Sequence, residues 1–440
     1  MPQAPRVQLL LTGNELMSGD TVDSNSATIA RRLAVLGLAV VRKTTLGDDP
    51  EALVAELTAM AGAAEVIIVN GGLGPTVDDL TAAVVADVAG LPLAEHPQAL
   101  AHLERWCAGR GLPLDGANRK QALLPAGCAI LPNERGSAVG FAVDLSVDHG
   151  SCRVYCTPGV PGELTTMLEP VCEDLTARWP GLEAVDILRL QTFGLGESTA
   201  QQLIADDGAD DGAEKGAASW PAAVSLGFRA GAPQLEIKLA VTDPAAGAAR
   251  DACLARLEAL FGDHIIGRGD ATLAGVLLDL LRERGLTVTT AESCTGGAIA
   301  AALTRIPGSS AGFEAGYVTY SNAIKTRTLG VREASLAAHG AVSEAVVREM
   351  ALGALDRSGA DLAVSVSGVA GPDGGTPAKP VGTVWLAWGD RERLDTVCLH
   401  WPVERTLFQT MVTALALDLL RRRLLGLPPL PHYARQRRAG

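Results

Sequence analysis

Short apolar, β-branched runs that break into glycine-rich loops recur along this 440-residue chain, with segments of helical periodicity between them. Val7–Leu11 runs into Thr12-Gly-Asn-Glu-Leu-Met-Ser-Gly19, and Val66–Val69 runs into Asn70-Gly-Gly-Leu-Gly-Pro-Thr-Val-Asp-Asp-Leu-Thr81. Between them a helix is expected from Ser24 or Asn25 with Ile29, Leu33 and Leu36 on one face. A strand Leu38–Val41 and a second helix carrying Leu53, Leu57 and Met60 follow. Strands that alternate with helices build a doubly wound, mostly parallel sheet, and ligands bind such sheets outside the carboxyl ends of the strands. All of these loops lie at those ends.

The texture changes near Asp186. Ile187–Leu190, Val224–Phe228 and Leu235–Val241 alternate at period two, as strands with one wet face do. A helix with Leu254, Leu257, Leu260 and Phe261 completes a small α+β module. The acidic, low-complexity stretch from Ala205 to Gly216 reads as a mobile loop rather than a site. A third unit begins near Gly269, where Leu273, Val276, Leu277, Leu280 and Leu281 form a helical stripe that Gly285 should end. The strand-to-loop pattern then returns twice, in Gly285-Leu-Thr-Val-Thr-Thr-Ala-Glu-Ser-Cys-Thr-Gly-Gly297 and in Asp361-Leu-Ala-Val-Ser-Val-Ser-Gly-Val-Ala-Gly-Pro-Asp-Gly-Gly375. Three domains suit this length.

A net charge of −13 and a pI near 5.1 leave no basic field to displace counterions from nucleic-acid phosphates, so small-molecule ligands are expected. The mean hydropathy of +0.20 comes from alanine and from short apolar runs broken by charge, so no membrane association is expected. The N-terminus has no long apolar signal segment, and a cytoplasmic location follows as an expectation. Eight scattered cysteines without a Cys-x-x-Cys pair argue against structural zinc and against a disulfide framework.

In the N-terminal part, Gly71, Gly72 and Gly74 permit close approach of backbone to a phosphate, with Thr76 beside them. Glu15, Asp23, Asp78 and Asp79 are hard oxygen donors suited to a divalent cation, although Asp78 and Asp79 could equally cap the helix expected over Leu80–Val88. Arg119 and Lys120 could neutralise phosphate or form an ordinary solvated pair.

In the third unit, Ser293, Cys294 and Thr295 sit at a strand-to-helix elbow, where free backbone N–H groups can hold an anion or a developing oxyanion. A serine nucleophile needs a base, and His339, His400 and His432 lie in no loop of this kind. Lys325 is the available alternative, following Tyr320, Ser321 and Asn322 closely, and burial would lower its pKa. Cys294 is a rival nucleophile, with a small packing residue as its preferred reading.

Thr290-Ala-Glu-Ser-Cys-Thr-Gly-Gly297, Val318-Thr-Tyr-Ser-Asn322 with Lys325, Gly340-Ala-Val-Ser343, Gly368-Val-Ala-Gly-Pro-Asp-Gly-Gly375 and Lys379-Pro-Val-Gly-Thr383 resemble the C-terminal domain of the competence/damage-inducible CinA family. Gly13-Asn-Glu-Leu16 with Asp23 and Asn25, Gly71–Thr81 and Pro158-Gly-Val-Pro-Gly-Glu163 resemble its molybdopterin-binding-like N-terminal domain. The resemblance implies a molybdopterin-binding-like domain over 1–172, a KH-like connecting module over 173–266 and an α/β amidohydrolase domain over 267–430. It implies deamidation of nicotinamide mononucleotide in pyridine-nucleotide recycling, with no cofactor. Ser293 is then the nucleophile, Tyr320 and Lys325 its activating partners, and Thr295, Gly296, Gly297, Asn322, Ser367, Gly371, Gly374, Lys379 and Arg405 bind substrate. For the N-terminal domain it implies a pyrophosphatase acting on ADP-ribose with a divalent metal. A pterin- or nucleotide-binding module without turnover, or a competence-associated interaction protein, are the alternatives. A homodimer is expected. The chain departs from the family pattern at Gln409, where a second arginine is usual, at Glu404, where aspartate is usual, and at Val139, where proline is more common.

Overall fold

The computed structural model describes residues 4–148, 150–207 and 220–438, so the acidic stretch expected as a loop lies outside the described residues from 208 onward. The chain forms two compact units, Met1–Asp186 with Thr242–Pro244, and Ile187–Val241 with Ala245–Gly440.

The first unit is built on a six-stranded sheet in the order Val40–Leu46, Val7–Thr12, Val66–Asn70, Gly150–Thr157, Gly140–Val147, Ala129–Leu131. The first four strands pair in parallel and the last two are antiparallel. Every residue of Val7–Thr12 and Val66–Asn70 is buried, as continuous apolar runs covered on both faces require. Alternate side chains go to opposite faces: Leu9 and Leu11 pack with Ile29, Leu33, Leu164 and Leu168, while Leu10 and Val69 pack with Leu53, Leu57 and Val84. The second strand runs Val40–Leu46 rather than Leu38–Val41. It lies at the sheet edge, where Arg42 and Lys43 stay exposed and a continuous apolar run is unnecessary. The helix Pro161–Arg178 buries Cys172 and also Leu175 in this unit, so the domain edge expected at 172 falls inside a helix.

The second unit contains two sheets. The smaller has the order Ser225–Gly231, Gln234–Val241, Asp186–Phe193, Ile265–Arg268 and carries the helices Glu197–Asp206 and Gly247–Phe261, an α+β arrangement. The larger has the order Phe313–Val318, Val288–Glu292, Leu362–Gly368, Thr383–Gly389, Leu394–His400. Its first three strands are parallel and its last two antiparallel. The helix Leu273–Arg284 starts at Thr272, whose hydroxyl accepts from Gly275 N–H at 3.1 Å, and ends at Gly285 in the left-handed region (φ 62°). That helix and the long helix Arg405–Leu425 cover one face of the sheet through Leu277, Leu281, Val412 and Leu415.

The basic run at the end of that long helix is internal. Asp418, Arg421 and Arg422 are almost completely buried; Asp418 pairs with both arginines, and Arg422 also reaches Asp263 at 2.6 Å. Tyr433 packs edge-on against Phe193, so the core extends beyond residue 430. Among the described residues no helix is long and apolar enough to cross a membrane.

Candidate active site

The strand Val288–Glu292 delivers Ser293 at its carboxyl end, and Ser293 N–H continues the sheet by donating to the Val366 carbonyl at 3.0 Å. The hydroxyl is therefore placed by backbone pairing rather than by a flexible loop. Lys325 arrives from the neighbouring strand Phe313–Val318, through the helix Asn322–Leu329 that Ser321 caps. Side chains on a helix lean toward its N-terminus, which aims Lys325 back over the segment before the helix. Its ammonium nitrogen lies 3.0 Å from Ser293 Oγ, 2.8 Å from the Thr319 carbonyl and 3.2 Å from the Tyr320 carbonyl.

Lys325 is 1% exposed, and among the described residues no carboxylate forms an ion pair with it. Burial lowers its pKa, with only the nearby Cys294 acting in the opposite direction. A buried lysine beside a serine hydroxyl can act as base when neutral and as acid once protonated. Cys294 behaves as a packing residue: it belongs to the apolar core, and burial pushes its thiol up to about 12.

The dyad opens into a cavity of about 230 Å³ whose wall includes Tyr320, Ala341, Ser367, Gly368 and Arg405. Ser367 is nearly buried and donates to the Ala341 carbonyl at 2.8 Å. Arg405 begins the long helix, donating to the Gly371 carbonyl at 2.7 Å and to the Tyr320 hydroxyl at 3.3 Å. It is the guanidinium of this cavity.

Several expected roles change in the folded chain. Tyr320 meets Lys325 through its carbonyl, while its phenol is 63% exposed and turned to Arg405. Asn322 is exposed in the first turn of its helix, off the cavity wall. Lys379 donates to the His339 carbonyl at 2.5 Å, and neither it nor Gly374 lines the cavity.

The elbow's N–H groups are also largely taken. Glu292 is completely buried and accepts from Thr295 Oγ1 (2.8 Å) and from the N–H groups of Gly297 (3.0 Å), Ile299 (3.1 Å) and Ala300 (2.9 Å). Gly296 N–H donates to the Ser293 carbonyl. The start of the helix Ala298–Thr304 is thus closed by an internal carboxylate, which sequence reasoning passed over although Glu292 directly precedes the serine. Gln409 donates to the Cys294 carbonyl at 2.8 Å, so the residue found in place of a second arginine braces the turn.

The first unit has a larger cavity, about 590 Å³, at the carboxyl ends of its parallel strands. Gly71, Gly72, Gly74 and Thr76 line it together with Glu15, Asp23, Asn25, Asp78 and Asp79, and the structure adds Asp48 and Glu163. Its floor is a set of satisfied amides. Asn25 donates to Asn70 Oδ1 (2.8 Å) and the Gly159 carbonyl (2.6 Å), and Asn70 donates to Thr157 Oγ1 and the Pro158 carbonyl. Gly71 (φ 115°) lies directly over Thr12, where a Cβ would collide with its carbonyl and hydroxyl, and a Cβ on Gly72 (φ 65°) would collide with the Thr81 hydroxyl.

Asp78 and Asp79 do not cap the following helix. That helix begins at Thr81 without a side-chain cap, and both carboxylates instead accept from Thr76. Asp48 has a raised pKa, through burial first and then the charges of Glu15, Asp78 and Asp79, against a bond from Asn14 N–H. Asp23 is held below its ordinary value by bonds from Ser26 and Lys43 despite its burial. Arg119 does not reach this cavity, being held by Glu95, and Lys120 donates to the Thr76 carbonyl on its far side. Among the described residues no three His, Cys, Asp or Glu side chains converge closely enough to hold a metal, so the donor set does not fit a resident ion.

The α/β chain matches two family descriptions: a "Probable molybdopterin binding domain" over residues 8–177 and a "CinA C-terminal domain" over residues 270–424. The CinA-like protein of Colwellia psychrerythraea is 50% identical over 438 residues, covering 99% of this chain and 98% of its own, and that of Geobacter sulfurreducens is 42% identical, covering 96% and 99%. The chain belongs to the CinA family. Among solved structures, the competence/damage-inducible protein CihA from Agrobacterium tumefaciens is 44% identical, covering 35% of this chain and 93% of its own with a TM-score of 0.34. The protein CinA from Thermoplasma acidophilum is 29% identical, covering 39% and 98% with a TM-score of 0.35.

Proposed function

We propose that the second unit hydrolyses the carboxamide of nicotinamide mononucleotide to nicotinate mononucleotide and ammonia. The observation that carries this reading is the buried Lys325 amine 3.0 Å from Ser293 Oγ. Ser293 Oγ attacks the amide carbon while neutral Lys325 takes its proton. The C–N bond then breaks, and the leaving nitrogen receives that proton from Lys325 and departs as ammonia. Water gives a proton to Lys325 and attacks the resulting ester; Lys325 returns that proton to Ser293 Oγ as the C–O bond breaks, and the acid product leaves and ionises to the carboxylate. Because Glu292 and the Ser293 carbonyl occupy the N–H groups of Gly297 and Gly296, the oxyanion falls to the remaining N–H groups of the elbow, that of Thr295 first. Arg405 takes the ribose phosphate, and the Tyr320 ring borders the base. No residue in this cycle requires a cofactor. Ammonia release by the intact protein tests the reading: full activity in Ser293→Ala overturns it, and loss confined to Cys294→Ala transfers the role to the thiol.

A second reading concerns the first unit, supported by the 590 Å³ cavity with its glycine loop and six carboxylates. Such an acidic cavity repels a bare diphosphate, so ADP-ribose would enter as its divalent-cation complex and be cleaved there. Because the side chains do not converge on a resident metal, no step is routed through one. Unchanged ADP-ribose hydrolysis after chelation and in Asp79→Ala overturns this reading, and calorimetric binding without product identifies a binding module. A cytoplasmic homodimer acting on these two nucleotides completes the proposal.

A further inference from the structure

We infer that Gln121 is a swinging amide that recognises the donor–acceptor edge of a purine ring in the cavity of the first unit. The inference rests on that cavity binding a nucleotide. Gln121 follows the short helix Gly116–Lys120, and its backbone N–H donates to the Asn118 carbonyl, which fixes its Cα. Its side chain is 6% exposed, and neither the amide nitrogen nor the amide oxygen has a hydrogen-bond partner. A primary amide offers two donors and one acceptor, and leaving all of them unmade in a buried place is costly. The neighbouring amides are not in this condition. Asn25, Asn70 and Asn133 are all hydrogen-bonded. The Thr12 hydroxyl, buried beneath Gly71 and Gly72 on the same cavity, is the other unpartnered group there.

The place of Gln121 explains what its amide lacks. The side chain stands on the wall shared by the 590 Å³ cavity and a 90 Å³ annex bounded by Leu73, Ala82, Leu124 and Val139. Leu73, Ala82, Leu124 and Val139 offer the annex an apolar wall that suits the face of a ring, with Asp79 and Lys120 also on its boundary, whereas the Gln121 amide suits an edge. Three torsions separate its amide from the fixed Cα, so it can turn toward a ligand without movement of the backbone. A ring edge carrying a ring nitrogen next to an amino group accepts one hydrogen bond from this amide and donates another to it, satisfying both ends at once. The empty-handed amide is thus complementary to an adenine-type edge, and the rest of the 590 Å³ cavity is left for the phosphates.

The test is calorimetric titration of the intact chain, with divalent metal present, using ADP-ribose made uncleavable by a methylene in place of the bridging diphosphate oxygen, and the same compound lacking the exocyclic amino group of the purine. The wild type is expected to bind the first about tenfold more tightly than the second, and Gln121→Leu to bind the two equally. A purely structural role would weaken both ligands together and leave their ratio unchanged. Gln121→Met, of similar length, serves as a second variant should the leucine protein unfold. Retention of the tenfold ratio in either folded variant overturns the inference while leaving nucleotide binding intact. Failure of the wild type to bind either ligand overturns the nucleotide reading, and the inference with it.

Discussion

Gln409 Nε2 donates to the Cys294 carbonyl across 2.8 Å, joining the second turn of the long C-terminal helix to the residue that follows Ser293. The Gln409 amide ends at the backbone of the turn. The residue consequently orients the Ser293 turn. Gln409→Leu leaves the carbonyl without its donor and loosens the turn, so kcat for ammonia release is expected to fall about tenfold with little change in KM. Steady-state kinetics check this, and a rise in KM alone would assign Gln409 to substrate binding.

Lys325 must be neutral to accept the serine proton, and burial lowers its pKa from the ordinary lysine value. Activity should therefore rise with pH through the depressed pKa of the folded protein. The same shift acts on stability. Between that depressed value and the unfolded value near ~10.4 the unfolded chain binds the extra proton, so stability rises with pH across this window and the contribution is lost below it. Lys325→Met should abolish ammonia release and remove this component of the slope, as measured by urea unfolding at several pH values.

In the proposed reaction Arg405 binds the substrate phosphate and takes no part in the proton transfers. Arg405→Met should raise KM for the mononucleotide about 10- to 100-fold, the range expected for one charge-assisted contact. The same variant should handle the unphosphorylated riboside as the wild type does. Comparing kcat/KM for the two substrates decides the point.

Glu292 is buried, has no cationic partner among the described residues and is held by hydroxyl and backbone donors. Glu292→Leu strands those donors in the interior, and a loss of at least about 3 kcal/mol is expected. For a domain of this size that corresponds to a fall in Tm of roughly 6–12 °C. Differential scanning calorimetry checks it, with Glu292→Gln, which keeps one acceptor, falling less.

The ion pairs of Asp418 with Arg421 and Arg422 lie almost wholly out of water, and Arg422 also pairs with Asp263. Asp418→Leu removes the shared carboxylate and leaves buried guanidinium charge uncompensated, which costs about 3–5 kcal/mol. Thermal unfolding is expected to show a clear destabilisation.

Much of this architecture is legible in the linear chain because it rests on local pattern. The apolar runs Val7–Leu11 and Val66–Val69 become the central strands, and the glycine loops after them appear at the cavity. Ser293 and Lys325 stand out for the same reason: a small-residue elbow and a lysine beginning a helix are short-range signals. Arg119, Asn322 and Lys379 illustrate the other case. Each has suitable chemistry, but Arg119 is taken by Glu95, Lys379 by the His339 carbonyl, and Asn322 points to solvent.

Alternation of strand and helix, continuous apolar runs and turn glycines are properties of neighbouring residues, and they settle which segments are strands, which are helices and where the ligand loops fall. Partners separated by 32 residues, as Lys325 is from Ser293, or by 115, as Gln409 is from Cys294, are decided only when the sheet order brings them together. The same holds for the burial that lowers the Lys325 pKa and for the closing of the elbow by Glu292, because hydrogen-bond competition and desolvation depend on what surrounds a group in space.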